Sequence, residues 1–93
     1  MKFVATLEHQ RKSGKEWKPT ATREYMVKFP NYQSPDNNEL LVAMKKKLEK
    51  EMMKERFVVS KYHLYADDAL TESEKLQLDI NGSIINPPTE IKL

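Results

Sequence analysis

Apolar and polar positions change period several times along the chain, and the predicted elements follow from those periods. Residues 2–11 alternate, with Phe3, Ala5 and Leu7 on one side and Lys2, Thr6 and Glu8 on the other. A period of two predicts a strand. Alternation returns over residues 20–29, where Tyr25, Val27 and Phe29 fall on one side and Glu24, Met26 and Lys28 on the other. Residues 12–18 between them carry Ser13 and Gly14 among charges, and Pro19 blocks a helix there. The two strands are therefore expected to form an antiparallel hairpin closed by a basic loop.

From residue 34 the period lengthens to that of a helix. Residues 34–57 predict one amphipathic helix of about five to six turns at about 3.6 residues per turn, with Ser34 as N-cap and Pro35 at the first helical position. Asp36 and Glu39 lie near the positive end of its dipole, Lys54 and Arg56 near the negative end. Leu40, Leu41, Met44, Leu48 and Met52 share an arc of about 120°, a stripe able to cover a sheet. Lys46, Lys50 and Lys54 form a ridge on the opposite side, with Lys47 beside them.

Residues 57–66 are rich in β-branched and aromatic side chains and predict a third strand. Strict parity places Val58, Tyr62 and Leu64 under the helix and Val59, Lys61, His63 and Tyr65 on the other face. Thr71, Glu72, Ser73 and Glu74 match a capping box able to start one helical turn. Leu76, Leu78 and Ile80 then alternate with Gln77 and Asp79, and Asn81 followed by Gly82 signals a hairpin with residues 83–85 returning. Pro87 and Pro88 end it, and residues 91–93 are expected to add an extended piece or trail as a loose tail. The order β-β-α-β followed by a hairpin predicts a single α+β domain over residues 1–93, one long helix packed on one face of a mainly antiparallel sheet. Several widespread folds share that order, so it assigns no function.

Composition narrows the classes. A chain of 93 residues with 39% hydrophobic and 32% charged side chains suits one small globular core. Without cysteine there is neither a disulfide framework nor a thiolate zinc site, which fits a reducing compartment. No apolar run approaches the roughly 18 to 20 residues of a membrane span, and Met1 leads into strand alternation rather than a signal-peptide core. A cytoplasmic setting with no membrane partner is expected. The net charge of +2 is unevenly spread: residues 1–66 hold 14 Lys and Arg against 8 Asp and Glu, residues 67–93 hold 2 against 6. Either the acidic end docks on the basic body, or that body meets an anionic partner.

The usual chemistry is missing from the motifs. His9 and His63 have opposite parities and no helical metal-binding partner. No serine lies in a nucleophile elbow, and the two glycines build no phosphate loop. Asp67, Asp68, Glu72 and Glu74 lack calcium-loop spacing and read as a solvated connection. A non-enzymatic protein is expected, with no cofactor, no metal and no small-molecule substrate. The strongest binding candidates are Arg11, Lys12, Lys15, Trp17 and Lys18 at the hairpin tip, where the only tryptophan sits among four cations. Weaker ones are Lys46, Lys50 and Lys54 on the helix, and Lys61, His63 and Tyr65 on the open sheet face. That face also holds Val4, Met26 and Val59, which the C-terminal hairpin is expected to cover.

Two functions compete on these residues. A protein-interaction module, whether inhibitor, adaptor or accessory factor, uses Trp and Arg as interface anchors. A nucleic-acid-binding module uses the same tip and the helix lysines on the phosphates of DNA or RNA.

Overall fold

A computed structural model describes residues 1–78 and 82–93. Its centre is a four-stranded sheet in the order β3-β1-β2-β4. Strands β1 (Lys2–Ser13) and β2 (Glu16–Lys28) pair antiparallel along their whole lengths, and β3 (Glu55–Tyr65) pairs antiparallel with the other side of β1. The short β4 (Thr89–Glu90) runs parallel to β2, beside Tyr25 and Met26. The expected α+β class holds.

The hairpin is longer than alternation alone indicates. Residues 12–18 are not a loose basic loop, because the ladder continues through Lys12↔Trp17 to Ser13↔Glu16 and leaves only Gly14 and Lys15 to turn. Gly14 takes a φ of 64°, which a two-residue turn between twisted strands needs and a side chain resists. Charges at these positions hid the strands, since both faces are wet there and alternation has no apolar set to show. Pro19 lies inside β2 at an irregularity where Thr20 has no cross-strand partner. The Thr20 hydroxyl donates instead to the His9 carbonyl at 3.3 Å.

Helix α1 (Asn37–Glu51) covers one sheet face and is 15 residues long, shorter than the expected 34–57. Asp36, not Ser34, is the N-cap, its carboxylate accepting from the Asn38 N–H at 2.9 Å. A charged acceptor is stronger than a hydroxyl, and Glu39 lies in the first turn behind it. The helix stops at Met52, whose ψ of 72° is not helical, and the Glu55 N–H bonds back to the Met52 carbonyl to launch β3. Met52 therefore caps the helix instead of joining its stripe, and Lys54 lies beyond it. Helical spacing ran on through residues 52–54 with no Gly or Pro to mark the end.

Leu40, Leu41, Met44 and Leu48 bury against Phe3, Ala5, Leu7, Tyr25, Val27 and Phe57. Each large side chain so buried contributes about 1.5 to 3 kcal/mol. Phe57 and Val59 also belong to this face, whereas Val58 does not. Thr6 pairs with Lys61 but Leu7 pairs with Val59, so Ser60 is an extra, bulged residue and parity reverses across it. Tyr62 and Leu64 stay on the helix face, Val58 turns to the far face, and Val59 leaves the open set expected for it.

The far face is covered in part by the segment of the expected hairpin, whose Gln77 and Ile85 border one groove with Thr6, Thr22 and Glu24, and in part by a second helix. Helix α2 (Glu72–Leu76), capped by the Thr71 and Glu74 box, lies over Lys2, Val4 and Met26. Beyond it the described residues show the antiparallel Leu78↔Ile84 bridge and the Ile85 N–H to Gln77 carbonyl bond of the expected hairpin, whose Asp79, Ile80 and Asn81 lie outside the described residues. Leu76 ends the helix and is exposed, so the alternation of Leu76 with Leu78 is not that of a strand. The C-terminus is no loose tail at Ile91, which is buried in the core with its N–H bonded to the Met26 carbonyl at 2.7 Å. Among the described residues no helix is long and apolar enough to cross a membrane.

Candidate interaction surface

The register decides which tip residues act together. Counting from Gln10↔Pro19, Arg11 and Lys18 point to the helix side of the sheet, and Lys12 and Trp17 to the far side. Lys15 occupies the turn. The five candidates are thus divided between two faces and do not form one basic patch. Arg11 is drawn further away by Glu55, 3.6 Å from its guanidinium. Lys12, Lys15 and Lys18 have no ion pair among the described residues.

Trp17 has a partner that sequence alone did not single out. The Arg56 guanidinium lies 4.6 Å from the centre of its ring, and Arg56 Nε donates to Gln10 Oε1 at 2.6 Å. Gln10 is opposite both Arg56 and Pro19, so the three strands bring this group together. A cation over an indole face is attracted by the ring quadrupole, and the Gln10 bond fixes the guanidinium in place. Trp17 is half-buried and Arg56 exposed. Finding Arg56 from sequence required the β1 to β3 register, for which no local signal exists.

The weaker candidates are separated from this group. Lys46 and Lys50 are exposed on α1 across the core from the far face, and Lys54 sits in the turn before β3. Lys61, His63 and Tyr65 do lie on the far face, where they line a cavity of about 330 Å3 with Leu70, Glu72 and Lys75. The His63 and Tyr65 rings are 4.5 Å apart. Glu24 and Glu72 stand among the cations of this cavity, so it offers mixed charge and no anion cradle.

Two buried polar groups join residues whose own positions were expected, His9 and Tyr25 on the core side and Thr71 and Glu74 in a capping box, to partners that were not. On the helix face the Tyr25 hydroxyl meets His9 Nε2 at 2.6 Å, and His9 Nδ1 meets Glu55 Oε2 at 3.4 Å. Burial pushes the Tyr25 hydroxyl above its ordinary value; Arg23 pulls it down and Glu55 pushes it up further. Hydroxyl, imidazole and carboxylate in series can activate a nucleophile, but Tyr25 is 3% and His9 4% exposed, so this row is closed to substrate. On the far face Lys2 Nζ bonds Glu74 Oε1 at 3.1 Å and also reaches the Ala69 carbonyl. Burial pushes the Glu74 carboxyl up, but the Thr71 N–H, the Lys2 ammonium and the Thr71 hydroxyl outweigh it and hold the carboxyl below its ordinary value. The acidic connection does dock on the body, in part through this pair, with Asp67 reaching the amino group of Met1. Among the described residues no group of three or more His, Cys, Asp and Glu can hold a metal ion.

Comparison with protein-family models, with curated proteins and with solved structures found no match.

Proposed function

We propose that the protein is a non-enzymatic interaction module, an inhibitor, adaptor or accessory factor that docks on a partner protein. The docking surface is the tip-ward end of the far sheet face, from the Glu8 and Val58 row to the Lys12 and Trp17 row. The observation that carries the reading is the Trp17–Arg56 stack, held at 4.6 Å and pinned by Gln10 on a stretch of sheet beyond the reach of α2. Trp and Arg supply much of the energy of protein interfaces, and a pair already ordered loses little entropy on binding. Val58, 39% exposed on the same face, extends the apolar part of the surface. Division of the tip cations between two faces weakens the nucleic-acid reading, which needs them along one track. Absence of cysteine favours a cytoplasmic setting for this partnership.

The test is affinity capture from the source cell on the full chain, run beside Trp17→Ala and Arg56→Ala variants shown to be folded. A defined protein retained by the native chain and lost by both variants supports the reading. Retention of DNA or RNA whose affinity falls steeply with salt overturns it in favour of a nucleic-acid module, and so does a partner that both variants still hold.

A further inference from the structure

Arg56 and Glu8 share the far face of the sheet toward the hairpin tip, Arg56 opposite Gln10 and Glu8 opposite Val58. Their charges are opposite, yet they form no ion pair. The Gln10 amide stands between them, its Oε1 accepting from Arg56 Nε at 2.6 Å and its Nε2 donating to Glu8 Oε2 at 2.7 Å. A neutral group thus separates the cation from a carboxylate in the adjacent row.

The separation leaves Arg56 with donors to spare. Its guanidinium lies 4.6 Å from the centre of the Trp17 ring and its Nε is taken, but neither terminal amino group has an acceptor among the described residues. The side chain is exposed. What remains is the terminal edge of a planar cation already held in place, with the forked N–H donors that a carboxylate fits. Lys12, in the next row toward the tip, is exposed and also has no ion pair among the described residues. Arg56 and Lys12 against Glu8 leave an excess of one positive charge, which a carboxylate neutralises and a phosphate dianion oversupplies.

We infer that the partner presents an Asp or Glu carboxylate to the terminal amino groups of Arg56, with apolar residues beside it on Trp17, an assignment that rests on the docking reading of this surface. Gln10 is then a positioning residue. By holding Glu8 it keeps the internal carboxylate from taking the place of the external one.

Trp17 is the only tryptophan, so its emission reports on the site directly. The full chain is titrated with a short blocked peptide alternating Glu and Leu, with the same peptide carrying Gln for Glu, and with one carrying phosphoserine there. The Glu peptide should bind at least about tenfold more tightly than the Gln peptide, the worth of a charge-assisted pair, and no more weakly than the phosphoserine peptide. Glu8→Gln should tighten the Glu peptide severalfold because the competitor is gone, and Gln10→Ala should weaken it because Arg56 then closes on Glu8. Glu49→Gln, the same change of net charge on an exposed position of α1, should leave it unchanged. Equal binding of the Glu and Gln peptides, no binding by either, or tighter binding of the phosphoserine peptide overturns the inference. So does an equal response of Glu8→Gln and Glu49→Gln, or an unchanged affinity in Gln10→Ala. A captured partner protein lost with Trp17→Ala and Arg56→Ala would in those cases leave the docking reading standing, and failure to capture one would remove both.

Discussion

The hydroxyl of Tyr25 lies 2.6 Å from Nε2 of His9, closed between sheet and helix. A proton on Nδ1 lets the ring accept from Tyr25 and donate toward Glu55, which accounts for both ring nitrogens. Tyr25→Phe leaves a buried nitrogen without its partner and should cost about 1 to 3 kcal/mol in urea denaturation at neutral pH. The folded hydroxyl titrates above its ordinary value of 10.0. Its contribution is therefore fully present below that pH and is lost as pH rises from there through the folded value. The native chain should lose more stability than Tyr25→Phe on going from pH 9 to about pH 11, so the gap between them narrows.

Lys2 and Glu74 make the opposite case on the far face, a buried pair in which Glu74 Oε1 also accepts from the Thr71 N–H while the Glu74 N–H donates to Thr71 Oγ1. Removing one partner strands the other, so Glu74→Ala should cost about 3 to 5 kcal/mol, whereas Lys2→Met with Glu74→Leu should recover most of it. Because the folded Glu74 carboxyl titrates below its ordinary 4.5, its contribution is present above that pH and is lost as pH falls through the lower folded value. Acid titration of the native chain and of Glu74→Gln, followed by thermal melts, should show the steeper loss in the native chain.

How much of this was legible depended on whether the information was local. Phe3, Ala5, Leu7, Tyr25 and Val27 announced their face because their strands are regular where they meet the helix. Thr71 and Glu74 announced α2 because a capping box is complete within four residues. Ser60 gave no warning: Val58 and Val59 are equally apolar, and only the pairing of β3 with β1 decides which goes inward. The Trp17–Arg56 stack needed the same long-range register, so the tip was found as a cluster of charges and its anchor was missed. The hairpin segment was expected to cover part of the far face and borders it at Thr6, Thr22 and Glu24, whereas the capped turn at 72–76 was not expected there, because it docks through Lys2, a residue whose alternation marked it as solvent-facing.

Gly14 sets the length of the hairpin. Its φ of 64° lies where a side chain is strained, although nothing stands within 4 Å of the place a Cβ would take. Gly14→Ala should therefore cost only the backbone term, about 1 to 2 kcal/mol. It should lower the urea midpoint with an unchanged m-value, since no core contact is touched. A larger loss, or a changed m-value, would mean that the turn governs more of the sheet than its own two residues.

Arg56 provides the sharpest separation between a structural and a docking role for the tip. Its guanidinium covers one face of Trp17 and its Nε is held by Gln10. Arg56→Ala uncovers the indole, so the fluorescence of the only tryptophan should shift to longer wavelength and become more accessible to acrylamide. Stability should fall by only about 0.5 to 1 kcal/mol, the worth of an exposed cation–π contact. Arg56→Lys keeps the charge but loses the planar group and the Nε donor, and should give an intermediate emission. Gln10→Ala, which frees the guanidinium without removing it, should move the spectrum in the same direction by less. If Arg56→Ala leaves the emission unchanged, Trp17 is not held by Arg56 and the ordered anchor on which the docking surface rests does not exist.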